Sequence, residues 1–242
     1  MHLSQQQVSK KLWFNFLKNN ELETCDGLVL VGDSVDVMVG ACSEYLQDYE
    51  YFFRGLKEYI TRGKKVFYVE GNHDFHVSKI LKKASRVFEF DLSCLERVRD
   101  KKVLRVADHK VLITHGDLYF DEDRIASAYQ TVIRSALVEK LVEDIVPYKF
   151  IQKVASKLKD NSARRKQGHD FDQSEHLQRF REIATQIRGD ENYIIMGHSH
   201  LKDEFYGDGF VYLNVGYPPL QREFLVIEDC GHRWVKIEES SA

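Results

Sequence analysis

Apolar residues recur along the chain in two rhythms, and their order outlines the fold. Residues 4–19 place Val8, Leu12, Trp13, Phe16 and Leu17 on or near one helical face. The run Leu28-Val29-Leu30-Val31 follows Asp26-Gly27 and ends at Gly32-Asp33, the pattern of a buried strand. A second amphipathic helix is expected over 44–61, with Phe52, Phe53, Leu56, Tyr59 and Ile60 at helical spacing and Gly63 as its stop. Val66-Phe67-Tyr68-Val69 marks a strand over 65–70, and a short helix follows near 76–84. Further strands are expected near 86–90, 97–106 and 110–114.

From 121 onward the rhythm becomes helical. Ile125, Ala128, Tyr129, Val132, Ile133, Ala136, Leu137 and Leu141 form one stripe, and Pro147 breaks it. Phe150, Ile151, Val154 and Leu158 form a second, and Ile183, Ala184 and Ile187 belong to a third helix. Strand signals return at 193–196, 210–215, 223–228 and 233–237. Strands on both sides of a helical segment describe an α/β core, 1–120 with 190–242, carrying a helical cap insertion at 121–189.

Composition narrows the class. The 242 residues carry a net charge of −3, which excludes a polycation built to bind nucleic acid. Four scattered cysteines form no Cys-x-x-Cys pair, so neither a disulfide framework nor a zinc knuckle is expected. No apolar run reaches the roughly 18–20 residues of a membrane span, and no secretory leader is recognisable at the start. The expectation is a cytoplasmic protein, with peripheral contact on the inner membrane face left open.

The chemistry sits at strand ends. Gly32-Asp33-Ser34-Val35-Asp36, Gly71-Asn72-His73-Asp74, His115-Gly116-Asp117 and Gly197-His198-Ser199-His200 each close an apolar run. Each sets a glycine beside a candidate ligand, so the backbone can turn tightly and approach an ion. Any one of them could be an ordinary polar turn; four in order point to a site. Histidine, aspartate and asparagine without sulfur suit manganese, iron or zinc better than calcium.

The order of these motifs resembles the calcineurin-like metallophosphoesterases. Within them the chain looks most like the UDP-2,3-diacylglucosamine hydrolases of lipid A synthesis. The closer likeness lies in Val37-Met38-Val39-Gly40 after the first motif, Asp74-Phe75, and the run from His115-Gly116-Asp117 to Glu122-Asp123 with Tyr129 and Arg134 beyond. The resemblance implies a four-layer α/β/β/α sandwich with a helical cap. It also implies two divalent ions, manganese first and iron or zinc as alternatives. Asp33 would bridge the ions; His2 and His200 would hold one, Asn72, His115 and His198 the other. His73, oriented by Asp74, would be the catalytic group. The implied reaction cleaves the diphosphate of a nucleotide-linked glycolipid. Another metallophosphatase or phosphodiesterase activity, or a scaffold without catalysis, is the alternative.

Two departures stand out. The family carries an Asp two residues before the first His, at the end of the first core strand, whereas this chain opens Met1-His2-Leu3-Ser4. The first core strand is therefore expected to be missing from a truncated N-terminus. The best-known lipid hydrolases also carry Arg where this chain has His73. Within the insertion, residues 149–166 hold seven basic side chains against one acid. Arg164, Arg165 and Lys166 are the candidate diphosphate clamp, and the basic helix before them reads either as a lipid-facing lid or as a solvated face.

Overall fold

Strand β1 (Gly27–Val31) feeds two cores at once, because successive side chains on a strand face opposite ways. The computed structural model describes residues 1–119, 134–153 and 173–238. In it, Leu28 and Leu30 enter a core covered by helices, while Val29 and Val31 pack into a second core between sheets. Strand β2 (Lys65–Val69) runs parallel to β1, with Gly27 opposite Lys65, and β3 (Leu95–Val98) runs parallel to β2. Helices α1 (Gln7–Leu17), α4 (Glu50–Thr61) and α5 (Ser78–Phe88) supply the outer layer. Gly55 lets α1 and α4 touch: a Cβ there would lie 2.3 Å from the indole nitrogen of Trp13. Short helices α2 (Glu21–Thr24) and α3 (Tyr45–Asp48) lie between these elements in sequence.

The second sheet has the order β4 (Lys101–Val106), β5 (His109–Thr114), β6 (Tyr193–Met196), β8 (Phe210–Val215), β7 (Lys202–Gly207). Its central strands β5, β6 and β8 are parallel, and its edges are antiparallel. Val111, Ile113, Ile195 and Leu213 fill the inter-sheet core. The alternate residues Leu112, Ile194, Met196 and Tyr212 pack on Phe180, Ile183 and Ala184 of a long helix, Gln173–Ile187. Helices, sheet, sheet, helix is the four-layer α/β/β/α arrangement. Helix α6 (Ala136–Ile145) precedes that long helix, which is α7. After β8, the one-turn α8 (Pro218–Gln221) leads into a hairpin of β9 (Glu223–Glu228) and β10 (Gly231–Lys236).

The hairpin sends Phe224 to the helix-covered core and Leu225 and Ile227 to the inter-sheet core, as β1 does. Among the described residues, β1 pairs only with β2 and β9 only with β10. Both strands line an apolar cavity of about 240 Å³ that reaches His2 and Asp33 at one end. The first residues pass that end: the Leu3 amide donates to the Ser34 carbonyl at 3.0 Å, and Leu3 bridges Val35 in parallel.

Several expectations need correction. The helix expected over 44–61 is broken at Tyr49, where φ is −118° and the phenol bonds both backbone groups of Val37. Residues 86–88 are helical rather than extended, and α5 stops only at Glu89 with φ of 58°. The strand expected over 97–106 is two strands, β3 and β4. Strand β7 was not anticipated, because Lys202-Asp203-Glu204 carries charge on an edge. The third helix of the expected cap, α7, packs as the outer layer of the second sheet. Residues 120–133 and 154–172, with the stripes and the Arg164, Arg165 and Lys166 clamp expected there, lie outside the described residues.

Candidate metal centre

Four strand ends meet closely enough that glycine is required. Gly32 follows β1 with φ of +70°, and a Cβ there would fall 2.3 Å from the Nδ1 of His115. A Cβ on Gly71 would fall 2.2 Å from the Oδ1 of Asp33. His2, Asp33, His198 and His200 all hold positive φ between 48° and 64°, a region that costs ordinary residues energy. Backbone strain concentrated on four polar side chains around one point marks a functional site.

Asp33 lies at the centre and is almost fully buried. Its Oδ1 accepts the amide hydrogen of His73 at 2.8 Å. That leaves Oδ2, which stands 3.3 Å from the Nε2 of His2 and 3.3 Å from the Nε2 of His115. One carboxylate oxygen therefore faces two imidazoles on opposite sides. On the first side, His2 Nε2 and His200 Nε2 approach to 2.8 Å. On the second, Asn72 Oδ1 lies 3.0 Å from His198 Nδ1 and 3.2 Å from His115 Nε2. His2, Asp33 and His200 form one cluster of donor atoms, and Asp33, His115 and His198 form the other, each within 4.8 Å. All six residues expected as ligands come together.

The donor set fits divalent cations. Val31 is a carbonyl acceptor, so His115 donates from Nδ1 at 2.9 Å and turns the lone pair of Nε2 toward Asp33. Burial disfavours an imidazolium at His115, but the Asp33 carboxylate outweighs it, and the pKa is pushed up to about 9. Burial also opposes ionisation of Asp33, yet the histidines around it hold its carboxyl well below the usual range. Burial, with the charge of His115, pushes His198 down to about 3, and burial lowers His2. One ionised carboxylate among buried, mostly neutral imidazoles and an amide oxygen is a cradle for positive charge.

His73 donates from Nδ1 to the Asp36 carbonyl at 2.8 Å and sits edge-on to His2, with ring centroids 4.9 Å apart. The expectation that Asp74 orients this ring is corrected. Asp74 is fully buried and its carboxylate is filled by four donors. Oδ1 accepts from the amides of Asp33 at 2.8 Å and Gly71 at 2.9 Å; Oδ2 accepts from the Ser34 amide at 2.7 Å and the Tyr68 phenol at 2.6 Å. Asp74 staples the first motif to the second.

Two residues at the site escaped the sequence reading. Tyr68 looked like one more apolar strand residue. Tyr217 stacks on His200 with centroids 5.0 Å apart and 21° between planes. It follows Gly216 at the end of β8, so the glycine-at-strand-end pattern that exposed the other motifs also holds here.

The comparisons with known proteins agree with this geometry. A family model described as calcineurin-like phosphoesterase matches residues 4–202. A UDP-2,3-diacylglucosamine hydrolase of Neisseria meningitidis serogroup B is 26% identical over 219 residues, 89% of this chain and 86% of that protein. Another, of Psychromonas ingrahamii, is 27% identical over 210 residues, 86% of this chain and 76% of that protein. A solved structure, the phosphopantetheinyl hydrolase of Mycobacterium tuberculosis, aligns over 96% of this chain and 95% of its own, with 13% identity and a TM-score of 0.36. No helix among the described residues is long and apolar enough to cross a membrane.

Proposed function

Because the chain belongs to the calcineurin-like phosphoesterase family and is a metal-dependent phosphoesterase, we propose that it uses two divalent ions, manganese first, to hydrolyse the diphosphate of UDP-2,3-diacylglucosamine or a similar nucleotide-linked glycolipid. The observation that carries the reading is the position of Asp33 Oδ2, 3.3 Å from an imidazole nitrogen on either side. His2 and His200 would complete one ion's ligands; Asn72, His115 and His198 would complete the other's. Bound there, the ions supply Lewis-acid polarisation of the phosphoryl oxygens and lower the pKa of water.

The chain's own residues do the rest. Asp74 holds the Asp33 and Gly71 backbones in register, so the shared carboxylate is fixed before substrate arrives. The Asp36 carbonyl holds Nδ1 of His73, which leaves Nε2 to meet a phosphoryl oxygen or the leaving group. Water adds to one phosphorus of the diphosphate, the bridging P–O bond breaks, and UMP and a lipid monophosphate leave. Phe150 is 59% exposed between the exposed Lys149 and Lys153's turn of the same helix, a combination that suits anionic lipid or an acyl chain. Arg164, Arg165 and Lys166 would clamp the diphosphate. Peripheral contact with a membrane face through this cap, in the cytoplasm, completes the reading.

His73 in place of the Arg of the best-known lipid hydrolases favours a second reading, a phosphodiesterase or phosphatase acting on another substrate. Manganese-supplemented hydrolysis separates the two. UMP release from UDP-2,3-diacylglucosamine supports the first; turnover of generic phosphodiesters alone selects the second.

A further inference from the structure

The two halves of the metal centre are built differently. His115 is 2% exposed and anchored by the Val31 carbonyl. His2 and His200 lie at the half-exposed side, each on a strained backbone with φ of 49° and 60°. Their imidazoles meet edge-on at 4.6 Å, and a single aromatic ring lies against both. That ring is Tyr217, 5.0 Å from His200 in a near-parallel stack and 5.7 Å from His2 at 56°.

Tyr217 is itself held rigidly. Gly216 before it has φ of +64°, and a Cβ there would strike Gln221 Oε1 at 2.3 Å. The same Gln221 oxygen accepts the Tyr217 amide hydrogen at 2.9 Å. The Tyr217 carbonyl accepts from the amides of Leu220 and Gln221 at 3.0 and 3.1 Å. Among the described residues the phenol has no hydrogen-bond partner, so what the site uses is the ring.

We propose that Tyr217 is a positioning residue for one ion only: its ring, stacked on His200, holds that imidazole in the ligating pose of the His2–Asp33–His200 cluster. The inference rests on the two-ion reading above. Removing a group that orients a metal ligand weakens affinity by about 10–100-fold, and here the loss falls on one of two ions. The ring acts through packing, so phenylalanine replaces tyrosine without loss.

The test uses the full chain stripped of metal and reloaded with Mn²⁺, read by equilibrium dialysis and by electron paramagnetic resonance. The parent binds two ions and gives the spectrum of an exchange-coupled pair. Tyr217→Ala and Tyr217→Leu bind one ion with parental affinity and the other about 10–100-fold more weakly, and the coupled spectrum gives way to that of isolated Mn²⁺. Tyr217→Phe keeps both ions within about twofold, which separates ring from hydroxyl. Thermal unfolding in chelator checks that the variants fold; Tyr217→Leu stands in if the alanine variant does not. Parental affinity for both ions in Tyr217→Leu or Tyr217→Ala overturns the proposal, as does a Tyr217→Phe variant that loses the ion too. A parent that binds fewer than two ions overturns the two-ion reading as well.

Discussion

Replacing Asp74 with asparagine distinguishes a staple from a catalytic carboxylate. Asp74 has four donors and no solvent: Asp33 and Gly71 amides on Oδ1, the Ser34 amide and Tyr68 phenol on Oδ2. An amide keeps one acceptor oxygen and turns two hydrogens against the donors on the other side. Two buried donors are orphaned, at about 1–3 kcal/mol each. Part of that is offset, because burial beside Asp33 already opposes the charge on Asp74 and raises its pKa. A net loss of about 3 kcal/mol remains, or roughly 6–12 °C in Tm for a chain of this size. Tyr68→Phe removes one donor and should cost about 1 kcal/mol. The assay is thermal and urea unfolding of the metal-free protein in chelator, so that ion binding does not contribute to stability. Parental Tm in Asp74→Asn, with hydrolysis lost, refutes the staple and returns Asp74 to the chemistry.

The remaining predictions follow the same geometry. His198→Ala should bind one ion in place of two by dialysis; two retained ions contradict the assignment of His198. Metal loading at pH 7.5 should release about one proton, because His115, with its pKa pushed up to about 9, is an imidazolium without the ion and neutral as a ligand. Affinity then rises with pH until about 9, and identical calorimetric heats in two buffers of different ionisation enthalpy exclude this. Arg97 pairs with Glu70 at 3.1 Å beneath the second motif and with Glu139 of α6. Arg97→Met strands a buried carboxyl and should cost about 3 kcal/mol; adding Glu70→Gln should restore most of it, and no recovery contradicts the pairing. An apolar five-residue extension ending in Asp directly before Met1 should seat between β1 and β9, raising Tm and metal affinity; an extension that remains protease-sensitive and changes neither shows that the cavity does not take a strand.

Much of the fold was legible because its strands are short apolar runs buried on both sides. β1, β2, β5, β6 and β8 all read this way, and their ends carry the ligands. The reading failed where tertiary contacts outweighed local pattern. Tyr49 interrupts a continuous helical stripe because its phenol serves Val37. Val87 and Phe88 have strand-like chemistry but complete α5. Strand β7 is an edge whose charges hide its pairing with β8. At the site, ligand identity was visible in residue type and glycine spacing, whereas second contacts were not. Asp74 lies next to His73 in sequence, yet its carboxylate is committed to backbone amides 40 and 41 residues away. Tyr217 meets His200 only because β6 and β8 are neighbours.

The shared carboxylate is the central claim, and counting ions tests it most directly. The purified chain, stripped and reloaded with Mn²⁺, should hold two ions by elemental analysis, and Asp33→Ala, confirmed as folded, should lose high-affinity binding of both. One ion retained at parental affinity in Asp33→Ala would contradict a carboxylate held in common.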